Sequence, residues 1–358
     1  MSTLIPAELL PSDEPVRVVQ IVPPGTGGVR DYALGLQLEW AQRGIATALL
    51  PLARSDAGSD SLTERLSGFG ATGAEVSPAV LLHLSGYGYA PRGLCFWLAR
   101  ELAAARRTLG SRCRIVTMVH ELFASGPPWQ SAFWLGGLQA RVVRDVVRQS
   151  DAVVTNSDHH AAWLRPRVRA GVPVRVAPVF SNVGEPAEIR LASARGHGLV
   201  VFGSPSTRQR AFDRLGAHLA ELKALRVSRI VEAGPGPASR FDGGAFARMH
   251  AGERTPAEIE ALLQQHRYGL IDYPSFHLGK SGVFAAYAAN GCIVLDTAAD
   301  RIEADGLRSG EHYLTLAPAA ASTLRKGAAN AMAARLHAWY LPHRRGRQAT
   351  EFLNDLLR

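Results

Sequence analysis

Residues 16–43 read VRVVQIVPPGTGGVRDYALGLQLEWAQR, and this stretch sets the reading of the whole chain. Val16 to Val22 is apolar except for Arg17 and Gln20, and its length suits a strand buried in a parallel sheet. Pro23 to Gly28 is a loop by its prolines and glycines. Tyr32 to Arg43 carries a helical pattern, and Gly44 stands where a helix-ending glycine belongs. Strand, glycine loop and helix together form the repeating unit of a doubly wound sheet.

The same alternation runs on from there. Strands are expected at Ile45 to Leu52, Val80 to Leu84, Arg114 to Val119, Ala152 to Thr155 and Val174 to Val179, with helices at Leu94 to Arg107 and from Phe133 to Arg148. The second of these helices carries an expected break at Gly136-Gly137. Asn156-Ser157-Asp158 offers an N-cap for a further helix. Ser181 to Gly198 is polar and rich in small residues, and reads as a linker.

The rhythm restarts with strands at Leu199 to Phe202, Arg229 to Ala233, Tyr268 to Asp272 and Cys292 to Asp296. Helices are expected at Phe212 to Ala224, Pro256 to His266, Val283 to Asn290, Leu324 to Leu341 and Gln348 to Leu357. Thr255 and Glu258 form a capping box for the second of these. The expectation is an α/β chain of two doubly wound, Rossmann-like domains: 1–185, 186–340, and a helix in 341–358 able to cross back to the first. Parallel sheets bind ligands beyond the carboxyl ends of their strands, so two such domains facing one another would share a central cleft.

Composition narrows the partners. The chain has 358 residues, 47% hydrophobic and 20% charged, which suffices for about two domains. Cys95, Cys113 and Cys292 lie far apart in apolar runs and form no CxxC pair, so they read as buried thiols of a reducing compartment. Met1 to Pro15 lacks the charged start and apolar core of a secretory leader. No apolar run approaches the ~20 residues of a membrane span. A soluble, cytoplasmic protein is expected.

The formal charge of +9, carried mostly by arginine, fits a nucleotide, an anionic membrane surface on which the protein would sit peripherally, or nucleic acid. The basic residues are scattered and no nucleic-acid module is recognisable, so no nucleic-acid partner is expected. The local cluster His343-Arg344-Arg345-Gly346-Arg347 suits a solvated turn and a membrane or phosphate contact equally.

Four loops after strands could carry chemistry. Gly27 and Gly28 would let backbone approach a phosphate at a helix start, although their spacing is not that of a dinucleotide fingerprint. His120 and Glu121 end the strand RIVTMV, where an imidazole can bond a sugar hydroxyl or move a proton. Ser204, Arg208 and Arg210 follow the first strand of the second half and suit a diphosphate. Lys280, Ser281 and Gly282 precede a helix and offer a cation and N–H donors; the first glycine of a Walker loop is missing, which excludes a P-loop ATPase. Tyr87, Tyr89, Arg92 and Trp129, with Trp134, supply aromatic and basic groups for an acceptor wall.

In order, these features are a glycine loop, a mid-domain histidine, SDAVVTNSDHHAAWL, a fresh strand ending FGS, and YPS before a helix that closes in AANGCIVLD. The pattern covers most of the chain and resembles the GT-B glycosyltransferases of the retaining family 4 kind. VHELFASGPPWQSAFWL and HLSGYGYAPRG resemble a bacterial subgroup. The resemblance implies that Gly27 and Gly28 lie near donor phosphates and His120 near the transferred sugar. Arg208 and Arg210 lie close to the family's diphosphate lysine, one position out of register, and Ser204 takes the place of its usual arginine. The family's two glutamates, eight positions apart, fall on Leu278 and Ala286, so both carboxylates are replaced.

The function this implies is sugar transfer from a nucleoside diphosphate sugar to a hydroxyl of a glycan or lipid-linked acceptor in bacterial polysaccharide assembly, with retention. No cofactor and no metal are expected. A non-catalytic nucleotide-sugar binder and a GT-B epimerase or phosphorylase are the alternatives.

Overall fold

A computed structural model describes residues 16–54, 61–69, 78–110, 113–124, 126–244, 246–298, 300, 302–318, 320–324 and 328–357. The Met1 to Pro15 reading lies outside them. The chain divides into two compact units, one running to Ala177 and resumed from Arg345, the other spanning Pro178–Arg344.

In the first unit the strands are β1 Val18–Val22, β2 Thr47–Pro51, β3 Ala79–Leu84, β4 Ile115–Val119, β5 Ala152–Thr155 and β6 Val174–Val176. They form one parallel sheet in the order β2-β1-β3-β4-β5-β6. The helices are α1 Gly28–Ala41, α2 Leu62–Gly68, α3 Gly86–Tyr89, α4 Phe96–Leu109, α5 Ser131–Val147 and α6 Asp158–Leu164. Alternation along the strands gives the sheet two different faces. Val19, Ile21, Val80, Leu82 and Leu84 pack with α2 and α4 in one core. Gln20 and His83, also buried, belong to the opposite face, which meets α1 through the hydrogen bond from Gln20 to the Ala33 carbonyl. The C-terminal helix Arg345–Leu356 packs on α1.

In the second unit the strands are β7 Gly196–Phe202, β8 Arg229–Ala233, β9 Ala247–His250, β10 His266–Ile271, β11 Ile293–Asp296 and β12 Leu314–Thr315. They too form a parallel sheet, in the order β12-β11-β10-β7-β8-β9. The helices are α7 Pro205–Leu215, α8 Leu219–Ala224, α9 Pro256–Gln265, α10 Gly282–Ala289, α11 Ala320–Thr323 and α12 Ala328–Tyr340. Two Rossmann-like sheets are what the alternation of strands and helices required.

Local differences from the sequence reading have physical causes. α5 runs through Gly136-Gly137 without a break. A Cβ on Gly136 would stand 2.9 Å from the Ala124 carbonyl, so that glycine serves close packing rather than a kink. The helix expected from Phe212 starts seven residues earlier, because Ser204 caps it through the Thr207 N–H and Pro205 takes the first helical position. Thr255 and Glu258 do form the capping box of α9, and Ser157 caps α6 by accepting from the His160 N–H.

All three cysteines are free and buried. Burial raises each thiol to about 11, which keeps it protonated and unreactive at neutral pH. Among the described residues no helix is long and apolar enough to cross a membrane.

Candidate functional site

Each sheet reverses its winding once, and each reversal opens a place for a ligand beyond the strand ends. In the first unit it lies between β1 and β3, in the second between β7 and β10. The sequence-derived loops stand at these two places.

At the first switch point three loops come together. Gly27 has φ 141°, a conformation L side chains rarely adopt, and it starts α1 with Gly28. Among the described residues no atom lies within 4 Å of where a Cβ at either glycine would stand. A Cβ on Gly88 of α3 would touch the Pro23 ring at 2.7 Å, so α3 lies directly against this loop. Tyr32, one turn along α1 from Gly28, stands edge-to-face with His120, their ring centres 5.2 Å apart.

His120 is buried and extends the β4 ladder by donating its N–H to the Leu84 carbonyl. Asn156 Nδ2 donates to its carbonyl at 3.0 Å, and its Nε2 lies 3.1 Å from His83 Nδ1. His83 Nε2 in turn lies 2.9 Å from Gln20 Oε1. Glu121, half-buried, accepts from Ser85 Oγ at 2.9 Å. An imidazole and a carboxylate thus stand on consecutive residues, each held by a partner from the β3 segment.

The acceptor-side residues separate into two groups. Tyr87 is half exposed and accepts from Gln139 Nε2 at 3.0 Å; Gln139 also donates to the Arg92 carbonyl, which ties α3 to α5. The Arg92 side chain is exposed, and Trp129 and Trp134 are 83% and 71% exposed. Tyr89 does not belong with them. It is buried in the core, and its hydroxyl is directed at the Ile21 and His83 carbonyls at 3.2 and 3.1 Å. An aromatic with backbone acceptors within reach of its hydroxyl can be interior, and Tyr89 is.

At the second switch point Ser281 caps α10, accepting from the Phe284 N–H at 3.2 Å, and Gly282 is its first residue. Lys280 is half-buried just before it. A Cβ on Gly203 would meet Val283 Cγ2 at 3.4 Å, so the loop after β7 adjoins the first turn of α10. Ser204 is exposed at the start of α7, bonded to Thr207 Oγ1 at 2.9 Å, and Arg210 is exposed on the same helix. The N-termini of α7 and α10 therefore lie side by side, with Ser204 and Ser281 as their caps and Lys280 just before the second.

Arg208 has a different role from the one its neighbours suggested. It is wholly buried, and its Nε donates to Glu232 Oε1 at 2.9 Å. Its other nitrogens donate to the carbonyls of Gly203, Pro235 and Pro237 at 2.6, 2.8 and 3.1 Å. A Cβ on Gly234 would stand 2.4 Å from Arg208 Nη1, so the backbone is closed around the guanidinium. Burial raises the Glu232 pKa, but hydrogen bonds from Ser239 Oγ, Arg208, Ser239 N–H and Arg248 outweigh it and hold the carboxyl at about 2. Arg208 is structural. Leu278 and Ala286, at the positions of the resembling family's glutamates, are buried apolar residues of this unit.

Asp296, at the end of β11, was also not anticipated as special. Its Oδ1 accepts from the Tyr273 and Ala298 N–H groups, while its buried Oδ2 makes no hydrogen bond. Burial, with Asp272 and Asp300 nearby, pushes its pKa up to about 7 against those two N–H bonds. The unfolded carboxyl ionises near 3.8, so the folded state loses stability as pH rises from about 4 to 7 and levels off above that. Asp296→Asn should remove that slope, up to about 1.4 kcal/mol per pH unit. Denaturant melts of both proteins across this range check it, and parallel stability curves would refute it.

What reading the sequence missed at the site is Gln20, His83, Tyr32 and Ser85. The available signal was a polar residue inside an otherwise apolar strand, in VRVVQIV and again in AVLLHL.

The architecture these units define is the GT-B fold of two Rossmann-like parallel sheets. An α,α-trehalose 6-phosphate synthase from Burkholderia multivorans is similar at TM-score 0.59 and 13% identity, over 96% of this chain and 97% of that one. An α-glucosyltransferase in complex with UDP is similar at TM-score 0.57 and 9% identity, over 95% and 99%. An α-glucosyltransferase with UDP-glucose and DNA containing an abasic site is similar at TM-score 0.55 and 10% identity, over 95% and 98%. No protein-family model and no curated protein matches the chain. At such identities the likeness lies in the fold.

Proposed function

We propose that this protein is a glycosyltransferase that moves a sugar from a nucleoside diphosphate sugar to a hydroxyl acceptor. The observation that carries this reading is His120 and Glu121 standing together at the carboxyl end of β4, each anchored by a β3-segment partner, in a fold of the GT-B type. The donor diphosphate is assigned to the first turns of α10 and α7, where Ser281, Gly282, Lys280 and Ser204 supply N–H groups, hydroxyls and a cation to a leaving group that gains charge. Arg210, exposed farther along α7, is assigned with them; Arg208 is not.

Gly27 and Gly28 give the first unit room for close approach, and His120 serves the sugar. Tyr87, Arg92 and Trp129 form an accessible wall for a glycan or lipid-linked acceptor, and the +9 charge suits an anionic membrane surface beside it. Retention, independence from metal and a role in bacterial polysaccharide assembly complete the proposal. Retention and the polysaccharide role are supported by the sequence resemblance alone, and independence from metal by a sequence that holds no cluster of aspartates. UDP-sugars are the donors to try first, because two of the similar structures hold UDP or UDP-glucose.

Calorimetry with a panel of nucleotide-sugars, followed by a diphosphate-release assay, tests the reading. The wild type should bind and turn over one of them, and His120→Ala should lower kcat about a hundredfold while the nucleotide still binds. A protein that binds no nucleotide-sugar is not this enzyme. DNA belongs in the acceptor panel as a control, given the DNA-bound similar structure. A non-catalytic nucleotide-sugar binder is the second reading, favoured by the buried Leu278 and Ala286 and the sequestered Arg208. Binding without turnover of any donor would select it.

A further inference from the structure

The line Ala33, Gln20, His83, His120 has a direction that is set from one end. The Ala33 carbonyl can only accept, so the Gln20 amide turns its Nε2 toward it, at 3.0 Å. Gln20 Oε1 is then the atom 2.9 Å from His83 Nε2, and being an acceptor it requires a hydrogen on that nitrogen. Were His83 the opposite tautomer, two lone pairs would face each other there inside the sheet.

His83 is wholly buried on the α1 face, its ring centre 5.9 Å from that of Tyr32 and its Nδ1 3.1 Å from His120 Nε2. Burial, with the neighbouring His120, lowers its pKa well below the ordinary histidine value. A neutral ring with hydrogen on Nε2 has its lone pair on Nδ1. His120 Nε2 must therefore donate to it, whether His120 itself is neutral or charged.

We propose that Gln20 and His83 are positioning residues that commit the Nε2 hydrogen of His120 to the sheet, so that Nδ1 is the nitrogen with which a neutral His120 accepts a hydrogen bond from a sugar hydroxyl. The three side chains belong to β1, β3 and the end of β4, adjacent strands whose ladder keeps their spacing. Second-layer partners of this kind choose a tautomer for an imidazole without touching the ligand. The role of the Nδ1 atom rests on the glycosyltransferase reading above; the tautomer itself does not.

The test is histidine-selective ¹⁵N NMR on the full chain at about pH 8, where a free histidine is neutral. His83 and His120, assigned by His83→Asn and His120→Gln, should both appear as Nε2–H tautomers. Gln20→Leu should move both toward a tautomer mixture. In the transfer assay His83→Leu should lower kcat at least about tenfold with donor KM little changed, and His83→Asn, whose Oδ1 can accept where Nδ1 did, should restore most of it.

An Nδ1–H spectrum for His120 in the wild type would overturn the proposal. So would equal kcat for the Leu and Asn variants when both keep the wild-type circular dichroism. If no sugar nucleotide is turned over, the enzymatic reading fails, yet the wild-type spectrum still decides the tautomer.

Discussion

Arg208→Met should destabilise the second unit strongly rather than remove a ligand for the proposed nucleotide. The guanidinium and the Glu232 carboxylate are both wholly buried, and Arg208 also donates to three backbone carbonyls. Removing the arginine leaves Glu232 with Ser239, Arg248 and a distant His250, and takes the guanidinium donor away from those carbonyls. Breaking one side of a buried pair typically destabilises by about 3–5 kcal/mol, a large share of a domain's roughly 5–15 kcal/mol.

Two further outcomes separate a structural arginine from a phosphate ligand. Arg208→Lys should rescue little, since an ammonium cannot supply a planar fork to four acceptors. Arg210→Ala, two residues along and exposed, should leave the melting temperature within a degree or two. The opposite pattern, with unchanged melting for Arg208→Met and weaker nucleotide binding, would restore Arg208 to the binding site. The pair is also acid-sensitive in a defined direction: Glu232 is held far below its unfolded 4.5, so its stabilisation is present above that value and is lost as pH falls toward about 2.

The case of Arg208 shows where a single sequence is legible. The strands could be placed to within a few residues because buried parallel strands are nearly continuous apolar runs, as in VRVVQIV or LVVF. Helix starts were legible where a cap was present, as at Thr255 and Ser157. β9, Ala247–His250, was not, because an edge strand reading ARMH with mostly exposed side chains carries no apolar run. α2 escaped as well, although Ser61 and Glu64 form a capping box that could have been read.

At the site, loop residues were found through position after a strand, which is a matter of chain order. Their partners were not, because Glu232 is 24 residues from Arg208, and Gln20 is 63 from His83. Pairing across strands depends on which strands become neighbours. The clue within each strand was a lone polar residue, Gln20, His83 or Glu232, whose burial demands a partner.

A chain ending at Arg344 should lose the fold of its first unit. The C-terminal helix supplies buried Ala349, Phe352 and Leu356 to the α1 face of that sheet, and it meets α1 and the sheet edge through specific bonds. Trp40 Nε1 donates to the Ala349 carbonyl at 2.9 Å and Tyr32 donates to Gln348 Oε1 at 2.5 Å. Arg175 pairs with Glu351 and Asp355 at 2.7 and 2.8 Å, with its guanidinium 5.2 Å from the centre of the Phe352 ring.

Phe352 and Leu356 alone are worth about 1.5–3 kcal/mol each in apolar burial, and their removal also opens Trp40 to water. The half-exposed ion pairs add roughly 0–1 kcal/mol apiece, so the apolar contacts decide the outcome. The sum approaches the whole stability of a domain. Phe352→Ala, the gentler version, should cost about 3–5 kcal/mol.

The consequence reaches the candidate site through Tyr32, whose hydroxyl is held by Gln348 and whose ring packs edge-to-face with His120. Thermal melting followed by near-ultraviolet circular dichroism would show the truncated chain without the first unit's transition. A truncated protein melting within a few degrees of the full chain would mean that α1 and the sheet stand without the helix, and that His120 takes its position from β3 and β4 alone.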